Sequence, residues 1–307
     1  MVKGEGWHPS PSTQTSTGLS EVNEVIEVNE VNDNSSAADN AVNITTIGNV
    51  GNFERSDNFD NFDNFEKNFD NFEKNFNNTN PERKMKRIGI IVAMDKELQQ
   101  LQQLFTGDNV VVQKCGIGKV NAALGAQRMI NEFHPDAIIS SGCAGGNGDE
   151  LSISDVVVSS EVAYHDVYCG AAIDTTTVYG QVQGLPARFP ADPWLVEKAR
   201  QLNVGAMKIT IHVGLIATGD WFVDTKEKMR EIIGHYPDAK AVDMESAAIA
   251  HTCYVNNVPF ISFRVVSDIP LRDTDASQYH DFWNTVADRS FFVTRTFVES
   301  LLSEPTE

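Results

Sequence analysis

From about Lys86 onward, short apolar runs alternate with segments whose apolar residues recur every three or four positions. The runs have the texture of buried strands, and the longer period is that of helices packed on one face. The pattern predicts strands over 87–93, 110–113, 137–141, 155–161, 209–218, 239–242 and 259–267. Between them it predicts helices over 96–105, 119–132, 193–202, 225–233 and 245–256, with a last one near 282–302. Such alternation implies a central mixed, mostly parallel sheet covered on both faces, a three-layer α/β/α sandwich. At about 220 residues it is expected to be one domain, over 86–303.

Residues 1–85 read differently. They are poor in Leu, Ile and Ala and rich in Asn, Asp, Glu and Ser. Within them a short repeat places phenylalanines at 59, 62, 65, 69, 72 and 76, a spacing that would line one face of a helix. Asn and Asp are weak helix formers, and so low-complexity a segment is expected to be disordered in isolation. Met85 stands directly before the first strand, where a start codon would fall. Whether the upstream residues belong to the working protein is left open.

The formal charge is −19, divided as −9 over residues 1–84 and −10 over the rest. Neither part could neutralise phosphates, so nucleic acid and anionic membrane surfaces are excluded as partners. The four cysteines are widely spaced, without metal-type pairs, and read as reduced thiols of a cytoplasmic protein. The amino terminus has no apolar signal region, and no run of about 20 apolar residues could span a bilayer.

Chemistry concentrates at strand ends. The run Phe263–Val266 stops at Ser267-Asp268, the first strand is followed by Asp95-Lys96-Glu97, and Ala239–Val242 runs into Asp243-Met244-Glu245. A fourth strand ends in the glycine-rich turn Ser141–Gly146. Acids at the carboxyl ends of sheet strands sit where α/β folds bind ligands. A neutral or cationic polar ligand and acid–base chemistry are implied. Blander readings compete: Ser267-Asp268 could cap a following helix, and Glu97 could be a solvated first-turn residue favoured by the helix dipole.

Taken together, Ile88–Glu97, Cys115-Gly-Ile-Gly-Lys-Val120, Ser141–Gly146, Tyr164-His-Asp166, Gly219–Val223, Ala241–Ala250 and Arg264–Asp268 resemble the 5′-methylthioadenosine/S-adenosylhomocysteine nucleosidases of the purine nucleoside phosphorylase superfamily. The resemblance covers 86–303 and none of the tail. It implies hydrolysis of the bond between adenine N9 and C1′ of a 5′-thio-substituted ribose, with no metal or organic cofactor, in a homodimer. By their match to its motifs, Asp268 is the general acid at N7 and Glu97 the base that activates water. Glu245 binds the ribose hydroxyls beside Met244, Ser267 orients Asp268, and Phe222 and Val223 form the adenine slot with Ile117 nearby. Gly145 marks a close approach of backbone to substrate. Asp243 reads as a cap or supporting acid, Cys143 as a small turn residue without a nucleophilic role, His165 as structural, and Trp221 and Trp283 as packing.

Three alternatives stay open: phosphorolysis, a futalosine-type nucleosidase with the same chemistry, and a nucleoside-binding module without turnover. An acidic first loop would repel phosphate, and a binding module needs no acid–base pair. One departure from the family stands out. Only Phe105–Lys114 separates the first helix from Cys115, where relatives carry roughly two more strands, so an incomplete and less stable sheet is expected.

Overall fold

The computed structural model describes residues 83–169, 176–204, 208–272, 277–285 and 291–302. The phenylalanine repeat, and with it the expectation of disorder, lies outside the described residues. In chain order the elements are β1 (Ile88–Val92), α1 (Asp95–Gln102), β2 (Val110–Lys114), α2 (Lys119–Phe133), β3 (Ala137–Gly146), β4 (Val156–Tyr164) and β5 (Phe189–Pro190). They continue with α3 (Pro193–Arg200), β6 (Ile211–Thr218), α4 (Lys226–His235), β7 (Ala239–Asp243), α5 (Ser246–Val255), β8 (Phe260–Asp268), α6 (Ser277–Thr285) and α7 (Phe292–Leu302).

The strands form one mixed sheet in the order β2-β1-β3-β7-β6-β4-β5, with β8 bridging β3 and β4. Pairings β1·β2, β1·β3, β3·β8, β4·β6 and β6·β7 are parallel, while β3·β7, β4·β8 and β4·β5 are antiparallel. The expected mixed, mostly parallel sheet is present. Its two faces are covered by different helices. Ile88, Leu195, Phe263 and Phe297 belong to one core, under α3 and α7, and Met129, Ile138, Ala247 and Ile249 to the other, under α2 and α5. A third cluster, including Met229, Ile232 and Leu215, lies beneath α4.

Several local expectations change. The segment 141–146 is not a turn but the second half of β3. It pairs with β8 along most of its length and with β7 through Gly145 and Gly146. A Cβ at Gly146 would come within 2.8 Å of Val266 Cγ1, so bare backbone is what lets β3 pass between its neighbours. The single helix expected over 282–302 is two, α6 and α7. Phe282 and Phe291 are both buried, yet nine residues apart they would point to opposite sides of one continuous helix. The two-residue β5 went unanticipated, since Pro190 signals an edge at most.

Packing also begins ahead of Lys86. Met85 is buried in the first core, and Arg83 Nη1 lies 2.7 Å from Asp192 Oδ2, with its guanidinium over the Trp194 ring. The short connection after α1 still supplies a strand, because β2 pairs with β1 in register from Ile88–Val110 to Val92–Lys114.

Candidate active site

The carboxyl ends of β1, β3, β6, β7 and β8 open on one cleft. All nine residues singled out from the sequence line it: Glu97, Ile117, Gly145, Phe222, Val223, Met244, Glu245, Ser267 and Asp268. They come from six stretches of chain, which the parallel pairing brings to one rim.

Glu97 lies in the first turn of α1, yet its side chain turns inward and is 1% exposed. Its Oε2 accepts from the backbone N–H groups of Ala93 (2.8 Å) and Met94 (2.9 Å), and its Oε1 accepts from Cys143 N (3.0 Å). The solvated first-turn reading is therefore wrong for Glu97. Burial raises its carboxyl above the usual range, against the opposing pull of Arg264 and the three N–H groups. A carboxylate held in that way is a stronger base than one in water. Its neighbour Asp95 does face solvent, paired with Lys114 at 2.7 Å.

Behind the cleft lies Arg264, 1% exposed in the middle of β8. Its Nε is 2.7 Å from Asp243 Oδ2, its Nη1 3.6 Å from Glu245 Oε2, and its Nη2 donates to Ser140 Oγ at 2.7 Å. Asp243 is held in addition by Thr218 Oγ1 (2.5 Å) and by the hydroxyl and N–H of Ser246 at the start of α5. It caps that helix and orients the arginine. A fully buried guanidinium is tolerable only with such partners.

Glu245 Oε1 accepts from Gly118 N at 3.0 Å. Its carboxyl is pushed up to about 7, chiefly by burial, with Arg264 opposing and Asp243 adding to the rise. Asp268 ends β8 opposite Gly145, across a shift in register, with Oδ1 2.6 Å from Ser267 Oγ. The strand continues through Asp268 and the next described helix starts at Ser277, so the pair does not act as a helix cap. At Gly145 the visible constraint is internal packing: a Cβ would lie 3.1 Å from both Pro270 and Val242 side chains.

Opposite these acids, Phe222 (48% exposed) and Ile117 (51% exposed) present apolar faces. Tyr279 from α6 stands edge-on to Phe222, ring centroids 5.4 Å apart, with its hydroxyl 3.7 Å from Met94 Sδ. Tyr279 and Met94 were missed, since neither carries a strand-end signature. Trp221, read as packing, is a cleft wall as well, with His165 buried edge-on behind it. Arg264 was overlooked despite a clear signal, a charge inside an apolar strand. Cys143 lines the cleft with its thiol pushed well above its usual range, first by burial and then by Glu97, which removes nucleophilic character.

A model of the phosphorylase superfamily matches residues 100–299. A 5′-methylthioadenosine/S-adenosylhomocysteine nucleosidase of Chromohalobacter salexigens is 36% identical over 235 residues, covering 71% of this chain and 98% of its own. The chain belongs to the 5′-methylthioadenosine/S-adenosylhomocysteine nucleosidase family. Among solved structures of the family, the Neisseria meningitidis enzyme in complex with methylthio-immucillin-A superposes with a TM-score of 0.64 at 35% identity, over 70% of this chain and 99% of that one. A futalosine hydrolase of Helicobacter pylori gives 0.63 at 27% identity, over 70% and 98%. The mixed α/β fold described above is the one these relatives share.

Proposed function

We propose that the chain hydrolyses the N-glycosidic bond of 5′-methylthioadenosine and S-adenosylhomocysteine, and of 5′-deoxyadenosine, releasing adenine and a 5-substituted ribose. The observation that carries this reading is the cleft's charge. Four carboxylates line it (Glu97, Asp243, Glu245, Asp268), and no Lys or Arg does among the described residues. A phosphorylase must hold a phosphate dianion, which such a wall repels; a hydrolase needs only water and acids.

Adenine leaves poorly as an anion, so a proton must reach N7 as the bond breaks, and Asp268 supplies it. The ribose becomes oxocarbenium-like, a developing cation favoured by the surrounding carboxylates. Glu97 takes a proton from the water that attacks the opposite face, as in inverting glycoside hydrolysis. Glu245 accepts hydrogen bonds from the vicinal hydroxyls, which a carboxylate can do twice over. Phe222 stacks on the purine, and Val223 backbone reads its edge.

The chain acts as a homodimer in the cytoplasm, in methionine salvage and the recycling of S-adenosylmethionine by-products. In support, Val120 and Leu124 of α2 and Val255 of α5 are exposed along an apolar groove that a second copy would cover. No described helix is long and apolar enough to cross a membrane. The folded domain spans 86–303, with its packing begun by Arg83 and Met85.

Adenine release from a panel of methylthioadenosine, S-adenosylhomocysteine, 5′-deoxyadenosine and futalosine, with and without phosphate, tests the reading. Release from the thio-nucleosides, independent of phosphate and with free ribose as product, is expected. Ribose 1-phosphate seen by NMR would make it a phosphorylase. Preference for futalosine would favour the chemistry of the Helicobacter relative. Binding without release would reduce it to a binding module.

A further inference from the structure

Two walls of the cleft have little packing of their own. Ile117 and Phe222 are each about half exposed, so their positions are inherited from the backbone that carries them. Ile117 sits in the turn Gly116–Lys119 before α2, and Phe222 in the loop Gly219–Val223 after β6. These segments are about a hundred residues apart in sequence. We infer that Asp166, which does not line the cleft, is the positioning residue that clamps these two segments together and so sets the width of the nucleoside slot.

The clamp is visible atom by atom. Asp166 follows β4, its side chain 10% exposed. Its Oδ1 accepts from Lys119 Nζ at 2.7 Å, and its Oδ2 accepts from the N–H of Asp220 at 2.8 Å, one oxygen for each segment. Asp220 returns the contact: its Oδ1 accepts from Lys119 N at 2.8 Å, and its Oδ2 lies 3.8 Å from Lys119 Nζ. Gly118 makes the approach possible. Its φ is +92°, and a Cβ there would stand 2.9 Å from Asp220 Oδ1. The same glycine donates its N–H to Glu245, so the clamped turn also touches the ribose-binding carboxylate. The Lys119 side chain is 22% exposed, and its Nζ also lies over the Tyr164 ring, 5.5 Å from its centroid, a setting in which salt screens the charges less than on an open surface.

This role rests on the nucleosidase reading only for its kinetic consequence, and the test separates the two. Asp166→Asn and Lys119→Met each leave Glu97 and Asp268 untouched, because those acids come from other strands. Each is expected to raise KM for methylthioadenosine about tenfold while kcat stays within about twofold. The double variant is expected to be no worse than either single one, as for residues acting in one unit. Independently of any activity, amide exchange followed by NMR is expected to be at least ~10-fold faster at Asp220 and Lys119 in Asp166→Asn, since the Asp220 N–H loses its carboxylate acceptor and the Asp220 side chain that receives the Lys119 N–H is no longer held in place. A lower Tm with unchanged KM would make the cluster merely structural and overturn the proposal, as would a loss confined to kcat. Unchanged exchange at Asp220 and Lys119 would overturn it whatever the kinetics. If the wild-type protein releases no adenine from any nucleoside, the functional reading fails, and the exchange measurement alone decides the clamp.

Discussion

Glu97 and Arg264 meet over the α-carbon of Gly142: a Cβ there would lie 2.6 Å from Glu97 Oε1 and still closer to Arg264 Nη1. The proposed base and the buried cation that opposes its rise in pKa are thus spaced by a missing side chain. Gly142→Ala must displace one of them. The expected cost is ~1–3 kcal/mol of stability from overpacking and a fall in kcat of ~10²-fold, the scale of a 1 Å misplacement. Adenine release and thermal unfolding measured together check this. Wild-type turnover in the alanine variant would mean that the base is not held at this spot.

Removal of either proposed proton-transfer group is expected to lower kcat by ~10²–10⁴. Asp268→Asn keeps the shape and the Ser267 contact. Glu97→Gln is less neutral, because both oxygens of Glu97 accept backbone N–H groups and an amide NH₂ cannot. Circular dichroism therefore accompanies the kinetics. Near-normal turnover in Asp268→Asn would remove it as the general acid.

Glu245 makes a prediction about pH. Its carboxyl ordinarily titrates near 4.5 and in the folded chain near 7. Between those values the folded state binds the proton more firmly than the unfolded chain does. Its contribution to stability is therefore complete below about pH 4.5 and is lost as pH rises through about 7. Gln has no such titration. The Tm of Glu245→Gln relative to wild type is expected to climb by a few degrees from pH 5 to pH 8, while KM for the nucleoside rises. A Tm difference independent of pH would show that the carboxyl is not strained by burial.

The site was legible where chemistry coincides with strand ends. Asp268, Glu97 and Glu245 follow apolar runs whose burial and direction the pattern reveals, and parallel pairing does the rest. What was hidden is what depends on packing across the sheet. Only the folded sheet, with Arg264 opposite Gly142 of β3, shows that Arg264 reaches Asp243 and Glu245. Tyr279 enters the cleft from α6, whose separation from α7 the periodicity blurred into one helix. Glu97 illustrates the same limit: its composition fits an exposed first turn, and only the N–H groups of Ala93, Met94 and Cys143 turn it inward.

The first packed residues can be located by truncation. A chain beginning at Arg83 keeps the Arg83–Asp192 pair and the guanidinium over Trp194, whereas one beginning at Met85 loses both. Asp192 also caps α3 through Leu195 N, so the lost pair leaves a nearly buried carboxylate with one partner fewer. The longer chain is expected to melt with the full-length protein and the shorter one a few degrees lower, for a loss of ~1 kcal/mol or more. Equal melting temperatures would make Arg83 a bystander. A large loss on removing 1–82 would show that the upstream segment docks on the domain.

The last prediction concerns β2, which ends the sheet beyond β1. It reads Val-Val-Val-Gln-Lys, with Val110 buried and Val111 and Val112 half-buried, and one side of its backbone has no neighbouring strand among the described residues. An apolar edge of that kind invites pairing with another chain, and only Lys114 at its end opposes this. The short stretch between α1 and β2 is thus enough to complete the pairing of β1 but not to cover the edge. A relative's hairpin grafted between Gly107 and Val110 is expected to raise Tm and slow aggregation on heating. Adenine release should stay unchanged, because the turn at Ile117 and the acids on β7 and β8 are untouched. If light scattering and melting temperature are the same with and without the graft, the existing connection is an adequate edge.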